Sequence, residues 1–331
     1  MATKWGICGA GKISHDFVVA MRTLSPGVMA VAARKLEDAQ QFAKRHGIPK
    51  SYGSYEELAE DQEIDVVYLC VGLLFLHARR NVLCEKPFAM NSREVHQLIT
   101  AARKNNVFLM EGLWSRCFPV YREISRLLMQ DIVGEVKMVE ELGGGVLLDI
   151  GVYCLQFVLM VFKGERPESI QATGVCLDTG VDESMVVVLK FPRNRMAVCG
   201  FSISTALPND ATICGTMGTI RIGLPYFRMQ LQQLTGNRNF SETEYTLPEP
   251  AMPLNFTNST GLRYEAEEVR QCLLNGLKES SRMTLADSAM LTEIMDEARR
   301  QVGVVFSQDA DPSTPRYLLH GAIDGWPLTL I

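Results

Sequence analysis

One glycine-rich turn near the start of the chain limits what this sequence can fold into. Gly9-Ala10-Gly11-Lys12-Ile13-Ser14 follows a short apolar run at residues 5–8 and opens a segment with helical spacing. A G-x-G-x-x-G/A turn between a strand and a helix lets a pyrophosphate approach the backbone at the helix N-terminus, and serine is also small at the third position. A glycine-rich turn without a ligand is the alternative. The predicted cofactor contacts are Gly9, Gly11, Lys12, Ile13 and Ser14.

The residues around this turn alternate between strand and helix patterns. Ser54 and Glu57 have the spacing of a capping box at the start of one helix. Alternation of this kind is typical of a parallel sheet with helices on both faces, so we predict an α/β fold whose residues 1–115 form a doubly wound Rossmann domain. Strands are predicted at 5–8, 28–33, 64–71, 82–84 and 107–110, and the clearest helices at 36–46 and 92–105.

The second part of the chain has a different pattern. After an apolar helix predicted at 146–161, strand-like segments follow one another without an intervening helix from 169 to 246. Such a run is typical of an antiparallel sheet, and two helices, at about 264–277 and 285–302, follow it. Residues 116–309 are therefore predicted to form an α+β domain with a largely antiparallel open sheet, and 310–331 an atypical tail.

Composition argues against several other classes of protein. The 331 residues carry a formal net charge of −5 without a basic stripe, which disfavours a nucleic-acid partner. The nine cysteines include no CxxC pair and no two of the five histidines have metal-ligand spacing, so we expect no metal. No apolar run is as long as a membrane span, and no secretory leader precedes the first strand. We expect a cytoplasmic protein that acts on a small molecule.

The residue after the second predicted strand bears on the choice of cofactor. NAD-binding domains place Asp or Glu there to bind the ribose hydroxyls, but this chain has Ala33-Arg34-Lys35. A guanidinium binds a 2′-phosphate through paired hydrogen bonds, whereas a carboxylate would repel it. Arg34 therefore predicts NADP rather than NAD. The alternative is a solvated Arg-Lys pair at the end of a strand.

Candidate catalytic residues lie in two separate motifs. Lys86, in Cys84-Glu85-Lys86-Pro87, follows a predicted strand and would project from the carboxyl edge of the sheet, where α/β folds bind ligands. Asp149 and Tyr153 are four residues apart and so share one helix face. A nearby ammonium lowers the pKa of a phenol, which would let Tyr153 act as a general base. In the alternative interpretation, Lys86 is a surface lysine, Asp149 caps the helix and Tyr153 belongs to the core.

Together these motifs resemble one known family. The glycine-rich turn, the segment 52–58, Glu85-Lys86-Pro87 and the G-G-G-x-x-x-D-x-G-x-Y pattern at 143–153 are similar to those of the glucose–fructose oxidoreductase/inositol dehydrogenase/MocA (Gfo/Idh/MocA) family over about residues 1–309. The nearest resemblance is to a vertebrate branch that oxidises trans-dihydrodiols and D-xylose with NADP. Relatives of the inositol type have histidine in place of Tyr153, which favours that branch. The resemblance also implies a homodimer formed through the open sheet.

The resemblance implies roles for particular residues of this chain. Lys86 and Tyr153 would be the catalytic pair, with Asp149 assisting in substrate binding or catalysis. Along the nicotinamide half of the cofactor would lie Tyr68, Glu85 and Lys86. Beside the substrate would lie Trp114 and Arg116.

The chain departs from the family pattern in three segments. Only the ten residues 72–81 separate two predicted strands where relatives have a full helix. A helix that returns the length of a five-residue strand needs about eleven residues before any loops. We therefore expect no full crossover helix, a lost part of the cofactor-site wall and a poorly covered apolar segment. Relatives also insert about one strand and a substrate-side loop between Val139 and Gly143, and the tail from about 310 has no family counterpart.

These departures leave two other functions open. A catalytically impaired protein that still binds NADP would follow from the loss of the crossover helix and of a pocket strand. An NADPH-dependent reductase of a tetrapyrrole shares the fold and would need a wide apolar cleft.

Overall fold

The computed structural model describes residues 3–22, 24, 27–69, 72–144, 147–223, 228–233 and 240–310. These residues form one sheet of six strands and one of eight, with helices packed against both. Within these ranges, no helix is both long and apolar enough to cross a membrane. Apart from Ala310, the predicted tail 310–331 lies outside the described residues.

The first sheet is the parallel sheet predicted for the N-terminal part. Its strands are ordered β3-β2-β1-β4-β5-β6, and every neighbouring pair is parallel. This is the strand order of a doubly wound dinucleotide-binding fold, so the predicted fold class is confirmed. The strands are Trp5–Cys8 (β1), Val28–Ala32 (β2), Lys50–Tyr52 (β3), Val66–Leu69 (β4), Asn81–Glu85 (β5) and Leu109–Gly112 (β6).

The helices between these strands follow local sequence signals. Gly47, in a left-handed conformation, ends the second helix after three basic residues. The predicted capping box is present, because Ser54 Oγ accepts from Glu57 N and Glu57 Oε2 accepts from Ser54 N, each at 3.2 Å. The helices are Lys12–Met21 (α1), Leu36–His46 (α2), Tyr55–Glu60 (α3), Leu73–His77 (α4) and Ser92–Asn105 (α5).

The crossover from β4 to β5 is short but well packed. Residues 72–81 contain the five-residue helix α4 in place of a full crossover helix, as their number predicts. The side chains of Phe75 and Leu76 are nevertheless only 1% and 0% exposed. The expectation that this apolar segment is poorly covered is therefore wrong, because α4 packs against α5 and shares its apolar cluster.

The second sheet is largely antiparallel, as predicted. Its order is β14-β13-β12-β11-β7-β10-β9-β8, and β7 with β10 forms a parallel pair within it. Strand β7 pairs with β10 on one side and β11 on the other, so the shortened segment at 139–143 forms a continuous central strand. The strands are Val136–Gly144 (β7), Ser169–Cys176 (β8), Asp182–Phe191 (β9), Arg195–Ser202 (β10), Asp210–Gly215 (β11), Gly218–Gly223 (β12), Arg228–Gln233 (β13) and Phe240–Glu244 (β14).

Helices of the second part connect the two sheets and cover one face of the second. The helix predicted at 146–161 differs at its start, where Leu147–Gly151 forms a π-helical turn. A Cβ on Gly151 would lie 2.8 Å from Cζ of Phe201, so only glycine allows this close approach to β10. After a 3-10 turn at Trp114–Cys117, the helices are Pro119–Met129 (α6), Val152–Val161 (α7), Leu262–Leu274 (α8) and Leu285–Val302 (α9).

Candidate active site

The carboxyl ends of the parallel strands bring most of the predicted site residues to one edge of the first sheet. Gly9 directly follows β1 and Lys86 directly follows β5. Arg34 and Trp114 lie two residues beyond the ends of β2 and β6. Doubly wound folds bind ligands at this edge, where the strand order reverses, which in this chain is between β1 and β4.

The glycine-rich turn has the conformation and the free space that a pyrophosphate needs. Gly9 has a φ of +104°, which favours glycine, and a Cβ on Gly9 or Gly11 would have no atom within 4 Å. Gly11 is the N-cap of α1 and makes no side-chain hydrogen bond, so the first N–H groups of the helix have no partner inside it. Ser14 is buried, Lys12 is exposed, and the residues present fit a dinucleotide.

Arg34 is exposed beyond the end of β2. Among the residues that the structure describes, none forms an ion pair with its guanidinium. The guanidinium is therefore free to bind an anionic group at this edge of the sheet.

A cavity of about 210 Å³ lies at the same edge, beside β5 and β6. It also touches the segment before α8, since Phe256 and Thr257 form part of its wall. No sequence signal indicates this wall, which depends on a tertiary contact: buried Asp16 of α1 accepts hydrogen bonds from Asn255 N and Phe256 N at 2.8 Å and 2.9 Å. The predicted site residues that line the cavity are Ile13, Glu85, Lys86, Trp114, Asp149 and Tyr153.

Lys86 and Asp149 form an ion pair in this cavity. Nζ of Lys86 donates to Oδ1 of Asp149 at 2.6 Å and to its backbone oxygen at 2.8 Å. The π-helical turn carries Asp149 to this position, 63 residues along the chain from the lysine. The Lys86 side chain is only 11% exposed, so the ammonium is oriented on Asp149 and little screened by solvent.

Tyr153 lies beside this ion pair as a neutral phenol. Nζ of Lys86 is 5.4 Å from the centre of its ring. Burial raises the pKa of Tyr153 well above its ordinary value, and the nearby carboxylates of Glu85, Glu265 and Asp149 add to the rise. A hydrogen bond from Trp114 acts in the opposite direction. The expected lowering of this pKa by lysine is absent, because Asp149 holds the Lys86 ammonium.

Tyr68 and Glu85 form a buried pair behind the cavity. The Tyr68 hydroxyl donates to Oε1 of Glu85, and its ring stacks on Phe17 of α1 with ring centres 3.8 Å apart. Burial raises the pKa of Glu85 above its usual range. Glu85 borders the cavity, whereas Tyr68 is 1% exposed and supports Glu85 from behind.

Two further buried acids lie near the cavity and were not predicted. Glu265 is fully buried, and Oε2 is 3.6 Å from the position of a Cβ on Gly112, which lines the cavity. Burial raises its pKa strongly and that of Glu111 to about 7. Glu265 could have been found in the sequence as a charged residue on the apolar stripe of α8, beside Leu262 and Ala266. In the described ranges, no group of three or more His, Cys, Asp or Glu side chains could hold a metal ion.

Arg116 does not reach this cavity. Its guanidinium donates to Oε1 and the backbone oxygen of Gln156 at 2.5 Å and 2.9 Å, and to the backbone oxygen of Arg282 at 3.0 Å. It lines a second cavity, on the other side of the 3-10 turn at Trp114–Cys117. The structure thus separates the two predicted substrate-side residues, because the tight turn directs Trp114 and Arg116 to different cavities.

The fold and this edge of the sheet define an oxidoreductase with an NAD(P)-binding Rossmann domain. Residues 3–113 match the Gfo/Idh/MocA oxidoreductase family with its NAD-binding Rossmann fold, and residues 121–221 match the C-terminal domain of that family. The chain is 59% identical over 337 positions to the trans-1,2-dihydrobenzene-1,2-diol dehydrogenase of Danio rerio, covering 94% of this chain and 100% of that protein. It is 52% identical over 333 positions to the Xenopus tropicalis protein of the same name, covering 92% and 100%. The chain belongs to the Gfo/Idh/MocA oxidoreductase family.

A solved structure shares the whole fold at low identity. Levoglucosan dehydrogenase in complex with NADH and levoglucosan matches with a TM-score of 0.80 and 16% identity, over 92% of this chain and 98% of that one. The alignment with the Danio rerio protein, at 337 positions, is longer than the 331 residues of this chain. Parts of that relative therefore have no counterpart here, in agreement with the shortened segments inferred from the sequence.

Proposed function

We propose that this protein is an NADP-dependent dehydrogenase that oxidises a hydroxyl group of a trans-dihydrodiol or of an aldose such as D-xylose. The observation that carries the proposal is the meeting of Lys86, Asp149 and Tyr153 in one cavity at the carboxyl edge of the Rossmann sheet. The names of the relatives, which are dihydrodiol dehydrogenases at 59% and 52% identity, support the diol as substrate.

Arg34 supports NADP over NAD. It is exposed at the end of β2 and free of described ion pairs, where a carboxylate would bind the ribose hydroxyls of NAD. Gly9, Gly11, Lys12, Ile13 and Ser14 would hold the pyrophosphate, and Glu85 and Lys86 would lie along the nicotinamide. When bound, NADP supplies the acceptor for the hydrogen and electron pair that leave the substrate carbon.

The protein's own side chains manage the proton. As a neutral phenol, Tyr153 donates a hydrogen bond to the substrate oxygen, which suits the carbonyl form of the substrate. Removal of the hydroxyl proton needs the phenolate, which Lys86 favours only when its ammonium turns from Asp149 toward the phenol oxygen. Asp149 is thus the residue that decides where the lysine charge acts, and the hydrogen bond from Trp114 also stabilises the phenolate.

A second candidate function is a dinucleotide-binding protein with little catalytic activity. It is favoured by the five-residue crossover helix α4, by the shortened segment at 139–143 and by the raised pKa of Tyr153. A tetrapyrrole reductase is disfavoured, because a cavity of about 210 Å³ is below the roughly 300–1,000 Å³ of sites for drug-sized ligands.

The family resemblance supports a proposal for the assembly of the protein. We propose a homodimer formed through the open face of the second sheet, where Met138, Val186 and Met196 of three adjacent strands are exposed. We also propose that the chain divides into units at 1–115 and 116–309 and acts in the cytoplasm.

The test is reduction of NADP by D-xylose and by benzene trans-dihydrodiol, followed through the absorbance of the reduced nicotinamide. Tyr153→Phe and Lys86→Met should each lower kcat by about 10²–10⁴-fold, while Tyr245→Phe, outside the cavity, should leave it unchanged. Turnover that survives Tyr153→Phe would contradict the mechanism. NADPH binding without any turnover would favour the second candidate.

A further inference from the structure

A second cavity lies behind the turn that carries Trp114. It has a volume of about 620 Å³, is open to solvent, and is bordered by α6, the end of α7 and the turn before α9. Because Arg116 lines it and Trp114 lines the catalytic cavity, the 3-10 turn at Trp114–Cys117 separates the two spaces. The proposed dehydrogenase mechanism uses none of the residues of this second cavity.

The walls of this cavity carry an excess of positive charge. The side chains of Arg116, Arg122, Lys163 and Arg282 line it, against the one carboxylate of Asp287. This concentration of cations stands out in a chain whose formal net charge is −5. Asp287 and the Arg282 partner Glu268 offset part of this charge, and an anion in the cavity would relieve the repulsion that remains between the cations.

Half of these cations form the fixed floor of the cavity. The side chain of Arg116 is 4% exposed, bound to Gln156 and 3.6 Å from Oδ2 of Asp287. Arg282 pairs through Nε with Glu268 at 2.8 Å. Both guanidiniums are held in place by these contacts, so the floor keeps its shape without a ligand.

The other two cations have no such partners. Arg122 on α6 and Lys163 at the end of α7 are exposed at the rim, and in the described part of the chain no carboxylate forms an ion pair with either. By contrast Arg126, one turn along α6, is paired with Glu123. Arg122 and Lys163 are thus unpaired cations that line the cavity, and the hydroxyls of Ser125, Ser281 and Thr284 also line it.

We propose that this cavity is a binding site for a small, multiply charged oxyanion, a phosphate ester or a polycarboxylate. Arg122 and Lys163 would supply the free charges, and the hydroxyl groups would supply neutral donors. Arg116 and Arg282 would form the positive floor beneath the anion. This site is independent of the proposed dehydrogenase activity and of the dinucleotide.

The test is titration calorimetry of the full chain with inorganic pyrophosphate and, separately, with citrate. Saturable binding of at least one probe is expected. Arg122→Ala combined with Lys163→Ala should weaken it by at least about tenfold, because each lost charge-assisted hydrogen bond is of that order. Arg126→Ala, on the same helix but outside the cavity, should leave binding unchanged. Tighter binding of pyrophosphate would identify the ligand as a phosphate, and tighter binding of citrate as a polycarboxylate.

Two results would overturn the proposal. One is the absence of saturable binding for both probes. The other is equal affinity in the wild-type chain and the Arg122→Ala/Lys163→Ala variant, which would assign the anion to the glycine-rich turn at 9–14 instead. Both substituted residues are exposed, so thermal unfolding of the variant is expected to match that of the wild type and to exclude misfolding as the cause.

Discussion

The two ends of the proposed cofactor cleft differ in the groups that form them: backbone at one end and side chains at the other. At the pyrophosphate end, Gly9 and Gly11 present backbone to open space, and α1 supplies N–H groups without side chains in the way. At the other end, Lys86, Asp149 and Tyr153 are side chains whose charges depend on one another. Binding at the first end needs only a backbone conformation. Chemistry at the second needs a particular distribution of protons and charges.

The shortened segments affect these two ends unequally. The crossover with the five-residue helix α4 leads directly into β5, which ends at Glu85 and so carries Lys86. The glycine-rich turn lies on the other side of β4 and keeps its full strand, turn and helix. The comparison teaches that a chain of this family can lose length near its proposed catalytic side chains and retain the glycine-rich turn of its Rossmann domain.

The largest expected effect on nucleotide affinity comes from filling the pyrophosphate end of the cleft. Gly11→Val places side-chain atoms where a Cβ now meets no atom within 4 Å, so the fold should tolerate the change. The same atoms occupy the space of the pyrophosphate, and NADPH affinity should fall by at least about 1,000-fold, or about 4 kcal/mol. Fluorescence titration with NADPH measures the loss, and thermal unfolding without the nucleotide checks the fold.

Gly223→Val is the matched control for this experiment. A Cβ on Gly223 also meets no atom within 4 Å, but the residue ends β12 in the second sheet, away from the turn. Its NADPH affinity should equal that of the wild type. Unchanged binding in Gly11→Val would show that the turn is not the nucleotide site.

A smaller effect, on the pH dependence of stability, is expected at the end of the cleft that holds the buried acids. Burial raises the pKa of Glu111, next to cavity-lining Gly112, from 4.5 to about 7. Glu111 therefore loses its proton at a lower pH in the unfolded chain than in the folded protein. Because of this difference, the stability of the folded protein decreases as the pH rises from about 5 to about 7. Glu111→Gln removes the titration. Its stability relative to the wild type should increase over that window by up to about 3 kcal/mol.

Urea unfolding at a series of pH values measures this difference. Glu297→Gln is the control, because the half-buried Glu297 is paired with Arg300, which lowers its pKa from 4.5 to about 2. Any loss of stability at Glu297 falls below about pH 4.5, outside the window. Parallel curves for Glu111→Gln and the wild type would show that Glu111 is ionised in both states.

The sequence predicted the elements that depend on local signals. The glycine-rich turn and the capping box at Ser54 were predicted at the observed residues, and strands β8 to β14 lie within the run of strands predicted at 169–246. Strand β3, Lys50–Tyr52, was not predicted, because its three half-buried residues show no alternation of apolar and polar side chains. It is recognised as a strand only by its pairing with β2. The π-helical turn at 147–151 was missed for a similar reason, since it depends on contact with distant Phe201.

The site was less predictable than the fold. Sequence motifs selected Lys86, Asp149 and Tyr153, but the ion pair that draws the lysine from the phenol joins residues 63 apart and follows only from tertiary packing. Arg116 was grouped with Trp114 because both belong to a segment that resembles one beside the site in the family, although the turn directs them to different cavities. Glu265 enters from α8, more than 100 residues beyond the motifs.

The most direct test is whether the cleft binds NADP in preference to NAD. Affinities for NADPH and NADH are measured by titration of the wild-type chain and of Arg34→Ala. NADPH is expected to bind at least about tenfold more tightly than NADH, since a guanidinium–phosphate hydrogen bond is of that order. Arg34→Ala should remove most of that preference while NADH affinity stays unchanged, and Arg45→Ala, exposed on α2, should preserve it. Equal affinity for the two nucleotides, or a preference that survives Arg34→Ala, would contradict the assignment.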